Sequence, residues 1–128
     1  MSEEKIRSFT DLKVWQEGHK LVVMVYQITK EFPKEEVYSL IDQMRRAASS
    51  ITANVAEGFG RQTYKEKVQF YYLAQGSLTE LKNFILLSKD INYLHPTNLQ
   101  RLVDQSNLTH QLLQGLIRKS KTFVNHKS

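Results

Sequence analysis

The sequence predicts an all-α protein, folded as an antiparallel up-down-up-down four-helix bundle. Apolar residues recur three and four positions apart along four long segments, which is the spacing of one helical face. No segment alternates apolar and polar residues between turn residues, so no sheet is expected. The 128 residues, 41% of them hydrophobic, suit a single domain over residues 1–128. The helices are predicted at about 11–31, 37–58, 64–92 and 98–122, with residues 1–8 and 123–128 expected to be flexible.

Each predicted helix has a start signal. A Ser or Thr stands three positions before an acid or amide, the spacing of a capping box, in which both side chains bond otherwise unpaired backbone N–H groups. The second signal marks the regular part of its helix. The four cap residues are Ser8, Ser39, Thr63 and Thr97.

The helix ends are also marked. Pro33 stops the first helix, since the residue before a proline disfavours helical backbone. Gly58 and Gly60 are predicted to end the second helix by supplying left-handed backbone. The segment 92–96 separates the third helix from the fourth. Connections this short make consecutive helices antiparallel neighbours.

One apolar stripe from each helix is predicted to form the core. The stripes are Leu12, Trp15, Val22 and Tyr26; Ile41, Met44, Ala48, Ile51 and Val55; Tyr71, Ala74, Leu78, Leu81 and Ile85; and Leu99, Leu102, Leu113 and Ile117. The first and third helices carry a second apolar set, which is either a wide core contact or a subunit interface. That set is Leu21, Val25, Ile28, Phe32, Phe70, Leu73, Phe84, Leu87 and Ile91.

The second helix also has a polar stripe beside small residues, which would let a neighbouring backbone approach closely. The stripe consists of Gln43, Arg46, Ser50, Asn54 and Glu57. A helix with an apolar stripe, a polar stripe and a small-residue flank indicates assembly, so a homo-oligomer is expected. Glu80 lies mid-way along the third helix, after Gly76, whose use is expected to be close packing because glycine is costly inside a helix.

Two interpretations of Asn54, Glu57 and Glu80 remain open. In the first, they make half-buried bonds that fix the helix register, with Arg46 or Arg61 as partners. In the second, they contact a ligand or nucleic acid.

The net charge of +5 is unevenly distributed along the chain. Residues 1–60 carry 8 Lys and Arg against 9 Asp and Glu, while residues 61–128 carry 10 against 4. A basic half either contacts phosphates or is ordinary solvated surface. Cations with an interleaved ring suit single-stranded nucleic acid. The candidate nucleic-acid residues are Arg45, Arg46, Arg61, Tyr64, Lys65 and Lys67, and the basic residues Arg118, Lys119, Lys121 and Lys127 are interpreted as a mobile tail.

The motifs of common enzymes are missing from the sequence, so a non-enzymatic protein with no metal and no cofactor is expected. There is no cysteine, no Glu-x-x-His, no Gly-x-Ser-x-Gly and no Walker loop. An RNase would have to depend on His110 or Glu57. No apolar run reaches membrane-spanning length and the N-terminus lacks a signal pattern, so no membrane contact and a cytoplasmic location are expected.

Several motifs together resemble a known family. They lie at residues 11–16 (DLKVWQ), 43–48 (QMRRAA), 54–61 (NVAEGFGR) and 76–78 (GSL), followed by Glu80. Over about residues 11–94 the chain resembles the bacterial four-helix-bundle family that includes the 23S rRNA intervening-sequence proteins. Genes of some members lie inside intervening sequences of 23S rRNA genes.

The resemblance implies a small antiparallel bundle that some members assemble into a pentameric barrel, without catalytic residues to carry over. Relatives that accompany diversity-generating reverse transcriptases are basic, barrel-shaped nucleic-acid binders. The resemblance therefore implies a pentameric homo-oligomer. The favoured function is non-enzymatic binding of RNA or DNA. The alternative is a structural or adaptor module that docks another protein.

Overall fold

The computed structural model describes residues 5–125, which fold as four long helices. The helices are α1 (Lys13–Thr29), α2 (Leu40–Phe59), α3 (Tyr64–Asp90) and α4 (Pro96–Lys121). Short 3-10 turns at Phe9–Asp11 and Lys34–Glu36 precede α1 and α2. Residues 5–125 contain no strand, and the prediction of an all-α, four-helix fold is confirmed. The two termini beyond this range, including Lys127 of the predicted tail, lie outside the described residues.

The helices form a closed ring of neighbours. α1 and α3 each pack against both α2 and α4, while the diagonal pairs make no close contact within residues 5–125. Along α2, the Met44 sulfur accepts a hydrogen bond from Ser88 and the Ser50 hydroxyl accepts one from Ser77. The partner number on α3 therefore falls as the number on α2 rises, so these two helices run in opposite directions.

The predicted core residues of α2 and α3 are buried, and so are three of the four on α4. Leu99 of α4 is only partly buried. The stripe of α4 is completed instead by Ser106 and Thr109, two buried polar residues. Their hydroxyls donate to the carbonyl oxygens of Val103 and Gln105 one turn earlier, which satisfies them inside an apolar core.

The predicted core face of α1 is wrong by about one position. Val14 and the second apolar set, Leu21, Val25, Ile28 and Phe32, are the buried hydrophobic residues of this part of the chain. Leu12, Trp15 and Val22 pack only against the edge of the core, and Tyr26 is 41% exposed. The second set is buried because it faces the other helices, whereas the Tyr26 ring lies on the outside, with its centroid 4.7 Å from the Arg45 guanidinium.

The second apolar set of α3 has a different fate from that of α1. Leu73, Leu87 and Ile91 are exposed, as is Leu86, while Phe70 and Phe84 are half-buried. The outer face of α3 therefore presents apolar side chains that the bundle does not cover. None of the described helices has the length and apolar character needed to span a membrane.

Two of the four predicted helix caps are confirmed. The Thr63 hydroxyl accepts a hydrogen bond from the Glu66 N–H at 3.2 Å, and Ser8 forms a capping box over the 3-10 turn before α1. Ser39 directly precedes α2, as predicted, but makes no capping hydrogen bond, and Thr97 is not a cap. The Ser39 hydroxyl donates to Glu36 instead of capping, and α4 begins at Pro96, because proline suits the first helical position.

Gly60 ends α2 as its C-cap, as predicted, but the left-handed backbone predicted for Gly58 and Gly60 is wrong. None of the described glycines has a positive φ, and α2 continues through Gly58 to Phe59. Gly58 is instead a point of close approach, since a Cβ there would lie 2.7 Å from Tyr71 Cε1. The left-handed residue of the described chain is Asn92, with a φ of 63°, directly after α3.

Candidate functional site

A groove of about 640 Å³ runs between α2 and α3. Three residues of the predicted polar stripe line it, whereas Asn54 and Glu57 of that stripe do not. Gln43, Arg46 and Ser50 meet Glu80 across a floor of small side chains, Ala47, Ser49 and Ala53. The turn of α2 places Gln43, Arg46 and Ser50 on one face, and the packing of α3 brings Glu80 to the same groove.

A small hydrogen-bond network fixes α2 against α3 at the groove. The Asn54 amide donates to the Ser50 carbonyl oxygen at 2.9 Å and to the Ser50 hydroxyl at 3.0 Å. The Ser77 hydroxyl of α3 donates to the same Ser50 hydroxyl at 2.9 Å. Asn54 is half-buried and both of its bonds lie within α2, with Ser50 rather than Arg46 or Arg61 as the partner, so the Ser77–Ser50 bond is the one that joins the two helices.

Arg46 of the groove and Arg61, which lies outside the groove after the end of α2, each pair with an acid four residues earlier. Arg46 forms an ion pair with Asp42 at 3.0 Å, and Arg61 forms one with Glu57 at 2.8 Å. Glu80 is exposed and has no hydrogen bond or ion pair within residues 5–125. The groove therefore presents one carboxylate that is still able to accept a donor.

Arg45 lies on a different side of α2 from Arg46. Its guanidinium donates to the Thr29 hydroxyl at 3.0 Å and to the Tyr26 carbonyl oxygen at 3.2 Å, at the C-terminal end of α1. A cation is favourable there because the last carbonyl groups of a helix lack partners. Arg46 is also about 22 Å along the helix axis from Arg61. The six candidate nucleic-acid residues thus do not form one surface.

The four candidates Arg61, Tyr64, Lys65 and Lys67 do lie together, at one end of the bundle. We call this the basic end and define it as residues 5–12, 56–69 and 115–125. These segments carry eight Lys and Arg against three Asp and Glu. The opposite end, residues 27–46 and 86–101, carries six against five. The positive charge of the chain is therefore concentrated at one end.

Aromatic rings alternate with the cations of the basic end. The Arg61 guanidinium lies 4.5 Å from the Phe70 ring centroid. Lys67 Nζ lies 5.3 Å and 5.8 Å from the rings of Phe59 and Tyr64, and it donates to the Phe59 carbonyl oxygen at 2.6 Å. Burial lowers the pKa of Lys67. Lys67 therefore caps the C-terminus of α2, while the exposed Lys65 makes no such bond within residues 5–125.

A ring-lined pocket of about 180 Å³ opens at this end. We call it the aromatic pocket. Its residues come from the segment before α1, the end of α2, the first turns of α3 and the end of α4: Ile6, Leu12, Phe59, Tyr64, Lys67, Tyr71, Leu116, Lys119, Ser120 and Phe123. The Tyr64 and Phe123 rings lie 4.9 Å apart between centroids. Burial, the largest cause, raises the pKa of Tyr71 to about 12, so its hydroxyl stays neutral at alkaline pH values where an exposed tyrosine ionises.

The residues considered for catalysis are not brought together. His110 of α4 contacts Lys82 Nζ at 2.8 Å, and burial, followed by the charge of Lys82, lowers the pKa of His110. Glu57 is on α2, the helix diagonal to α4. Across residues 5–125 no group of three or more His, Asp and Glu could hold a metal ion.

A family model described as "23S rRNA-intervening sequence protein" matches residues 10–115. The chain belongs to this family. It is similar in fold to a solved protein of unknown function from the S23 ribosomal protein family of Bacteroides thetaiotaomicron. The TM-score is 0.71 at 20% identity, over 81% of this chain and 97% of that chain. Curated proteins offered no match.

The sequence did not reveal that several cations near the C-terminus belong to the basic end. Arg118, Lys119 and Lys121 were interpreted as part of a mobile tail, but they form the last turn of α4. Lys121 Nζ donates to the Tyr72 hydroxyl at 3.2 Å. The signal was present, because three cations within four residues followed by Phe123 continue the amphipathic pattern of α4. Their distance from Tyr64 along the chain concealed the contact.

Proposed function

We propose that this family member is a non-enzymatic, self-associating protein that binds RNA or DNA through the basic end. The concentration of cations and rings at one end of the bundle carries the proposal. Eight cations against three acids attract a polyphosphate backbone, and release of its counterions drives binding without reading sequence.

The exposed cations are those best placed to contact phosphates. Lys65 and Lys121 line one shallow pocket together, and Lys119 lies on the rim of the aromatic pocket. Arg61 contributes less net charge, since Glu57 pairs with it. Lys67 is already engaged with a helix terminus. Binding is therefore expected to be sensitive to salt and tolerant of sequence.

Self-association is supported by the face that α2 and α3 share. Gly76 has no atom within 4 Å of where a Cβ would lie, so the close packing expected of it is not met inside the chain. The exposed Leu73 and Leu87 lie on the same helix. A second copy of the chain packed on this face would explain both features. It would use the space beside a glycine that weakens the helix, and it would cover apolar side chains that are otherwise exposed to water. The family resemblance implies five copies.

The test measures binding of the protein to radiolabelled single-stranded RNA and DNA from about 50 to 300 mM salt, a range over which affinity that depends on phosphate contacts falls steeply. Lys65→Ala with Lys121→Ala is expected to weaken binding and to reduce the log–log salt slope by roughly 0.7 for each lost contact. The matched control removes two exposed cations from the opposite end, Lys30→Ala with Lys89→Ala, and is expected to bind like the wild type. No retention of either nucleic acid at the lowest salt would reject the proposal.

A second candidate function is a structural or adaptor module. The exposed apolar side chains of α3 favour it, because they would also suit a different protein. In that case one protein partner survives nuclease treatment during capture, and Leu87→Asp removes it. Under the first proposal Leu87→Asp changes the mass in solution instead, while the charge-dependent binding of nucleic acid is retained.

A further inference from the structure

We propose that the aromatic pocket holds one unstacked base of a single strand, and that the strand then passes over the last turn of α4. This inference rests on the proposed function, which requires only phosphate contacts. It adds a defined base site and a preference for single strands over duplexes.

The size and lining of the pocket fit one planar ring. Its volume of about 180 Å³ is below the roughly 300–1,000 Å³ of a typical small-molecule site. Tyr64 and Phe123 both line it and remain 37% and 39% exposed, so each offers ring surface to a base. Stacking on an aromatic ring accepts any base, since each base has a π-face.

Lys67 gives the pocket an ammonium group with more donors than its described hydrogen bonds use. An ammonium has three donors, and the described hydrogen bonds of Lys67 use one, to the Phe59 carbonyl oxygen. The Lys67 ammonium lies 5.3 Å from the centroid of the Phe59 ring and 5.8 Å from that of the Tyr64 ring. Burial lowers the pKa of Lys67. A carbonyl oxygen or ring nitrogen of a base would supply an acceptor where water is already partly excluded.

The cations outside the pocket trace a path for the backbone. Lys119 lines the aromatic pocket, and the neighbouring pocket of about 320 Å³ is lined by Lys65 and Lys121 beside the Tyr72 ring. The last turn of α4 separates the two pockets. A strand with one base in the aromatic pocket would place its next phosphate near Lys121 or Lys65, and its next base near Tyr72. A duplex cannot present an unpaired base to either ring.

The experiment measures fluorescence of short RNA and DNA strands that carry one 2-aminopurine, together with their affinities and those of the matching duplexes. The wild type is expected to quench the 2-aminopurine and to prefer the single strand. Tyr64→Ala, which changes no charge, is expected to bind single strands about tenfold more weakly and to quench the 2-aminopurine no longer. Its affinity for duplexes is expected to be unchanged. Tyr64→Phe keeps the ring and is expected to behave like the wild type.

Phe123→Ala provides a second test if Tyr64→Ala does not fold, because Phe123 follows the end of α4. Wild-type affinity and quenching in both alanine variants would overturn the base site while leaving the proposed function intact. Equal binding of single strands and duplexes without quenching would overturn it too. If the wild type binds no nucleic acid at any salt, both the proposed function and the base site are rejected.

Discussion

Two helical glycines should respond in opposite directions to the same substitution. Gly58→Ala would place a Cβ 2.7 Å from Tyr71 Cε1 and 2.9 Å from Phe70 Cβ. Tyr71 is 2% exposed, and Phe70 Cβ is attached directly to the backbone of α3, so neither neighbour can move away freely. Gly76→Ala would place its Cβ in open space.

The magnitudes follow from two effects. Overpacking of a filled core costs about 1–3 kcal/mol, and replacing a helical glycine by alanine gains at most about 1 kcal/mol. Because the clash at Gly58 is severe, we expect Gly58→Ala to be about 1–2 kcal/mol less stable than the wild type. Gly76→Ala has only the propensity gain, and we expect it to be up to about 1 kcal/mol more stable.

Urea denaturation followed by circular dichroism measures both variants. It should be run at two protein concentrations, because self-association raises the apparent stability. In a thermal scan the loss in Gly58→Ala corresponds to a melting temperature lower by roughly 3–10 °C. A Gly58→Ala protein as stable as the wild type would refute the close contact between α2 and α3. A Gly76→Ala protein less stable at the low concentration would refute the open environment of Gly76.

Further expectations concern assembly and pH. Ala53→Trp fills the floor of the groove between α2 and α3, and light scattering is expected to show a folded protein of lower mass, whereas Gln111→Trp on the outer face of α4 leaves the mass unchanged. Because the pKa of His110 is lowered in the folded protein, the unfolded state takes up the imidazole proton at a higher pH, and the free energy of unfolding falls as the pH drops below about 6.5. His110→Gln is expected to flatten this part of the plot of the free energy of unfolding against pH. Because the pKa of Tyr71 is raised to about 12, the unfolded state loses this proton first, and the free energy of unfolding falls between pH 10 and 12. Tyr71→Phe is therefore expected to resist alkaline unfolding, measured by spectroscopic titration. Equal alkaline midpoints for the variant and the wild type would contradict this.

Much of the fold was readable from local patterns. The apolar stripes of α2 and α3 predicted their buried residues, and the cap at Thr63 marked the start of α3. These predictions hold because the three-and-four spacing and the capping side chain act within one helix. The polar stripe of α2 was predicted for the same reason, since Gln43, Arg46 and Ser50 share a face before any other helix packs.

Other features depended on which helix packs where. Both apolar sets on α1 were compatible with a buried face, and only the position of α2 and α4 selected Leu21 and Val25 over Val22 and Tyr26. Gly58 carried the signal of a helix end, yet the approach of Tyr71 explains it. A glycine looks the same in sequence whether it frees the backbone or makes room for a neighbour.

The sequence by itself determined four amphipathic helices, their approximate limits and a surplus of positive charge in the second half of the chain. These are properties of neighbouring residues, and they survive without knowledge of the rest of the molecule. Only the tertiary structure decided that Arg45 and Arg61 belong to different surfaces, and that Tyr64 meets Phe123 at one end. Contacts between residues tens of positions apart follow from how the helices pack, and packing depends on all four helices at once.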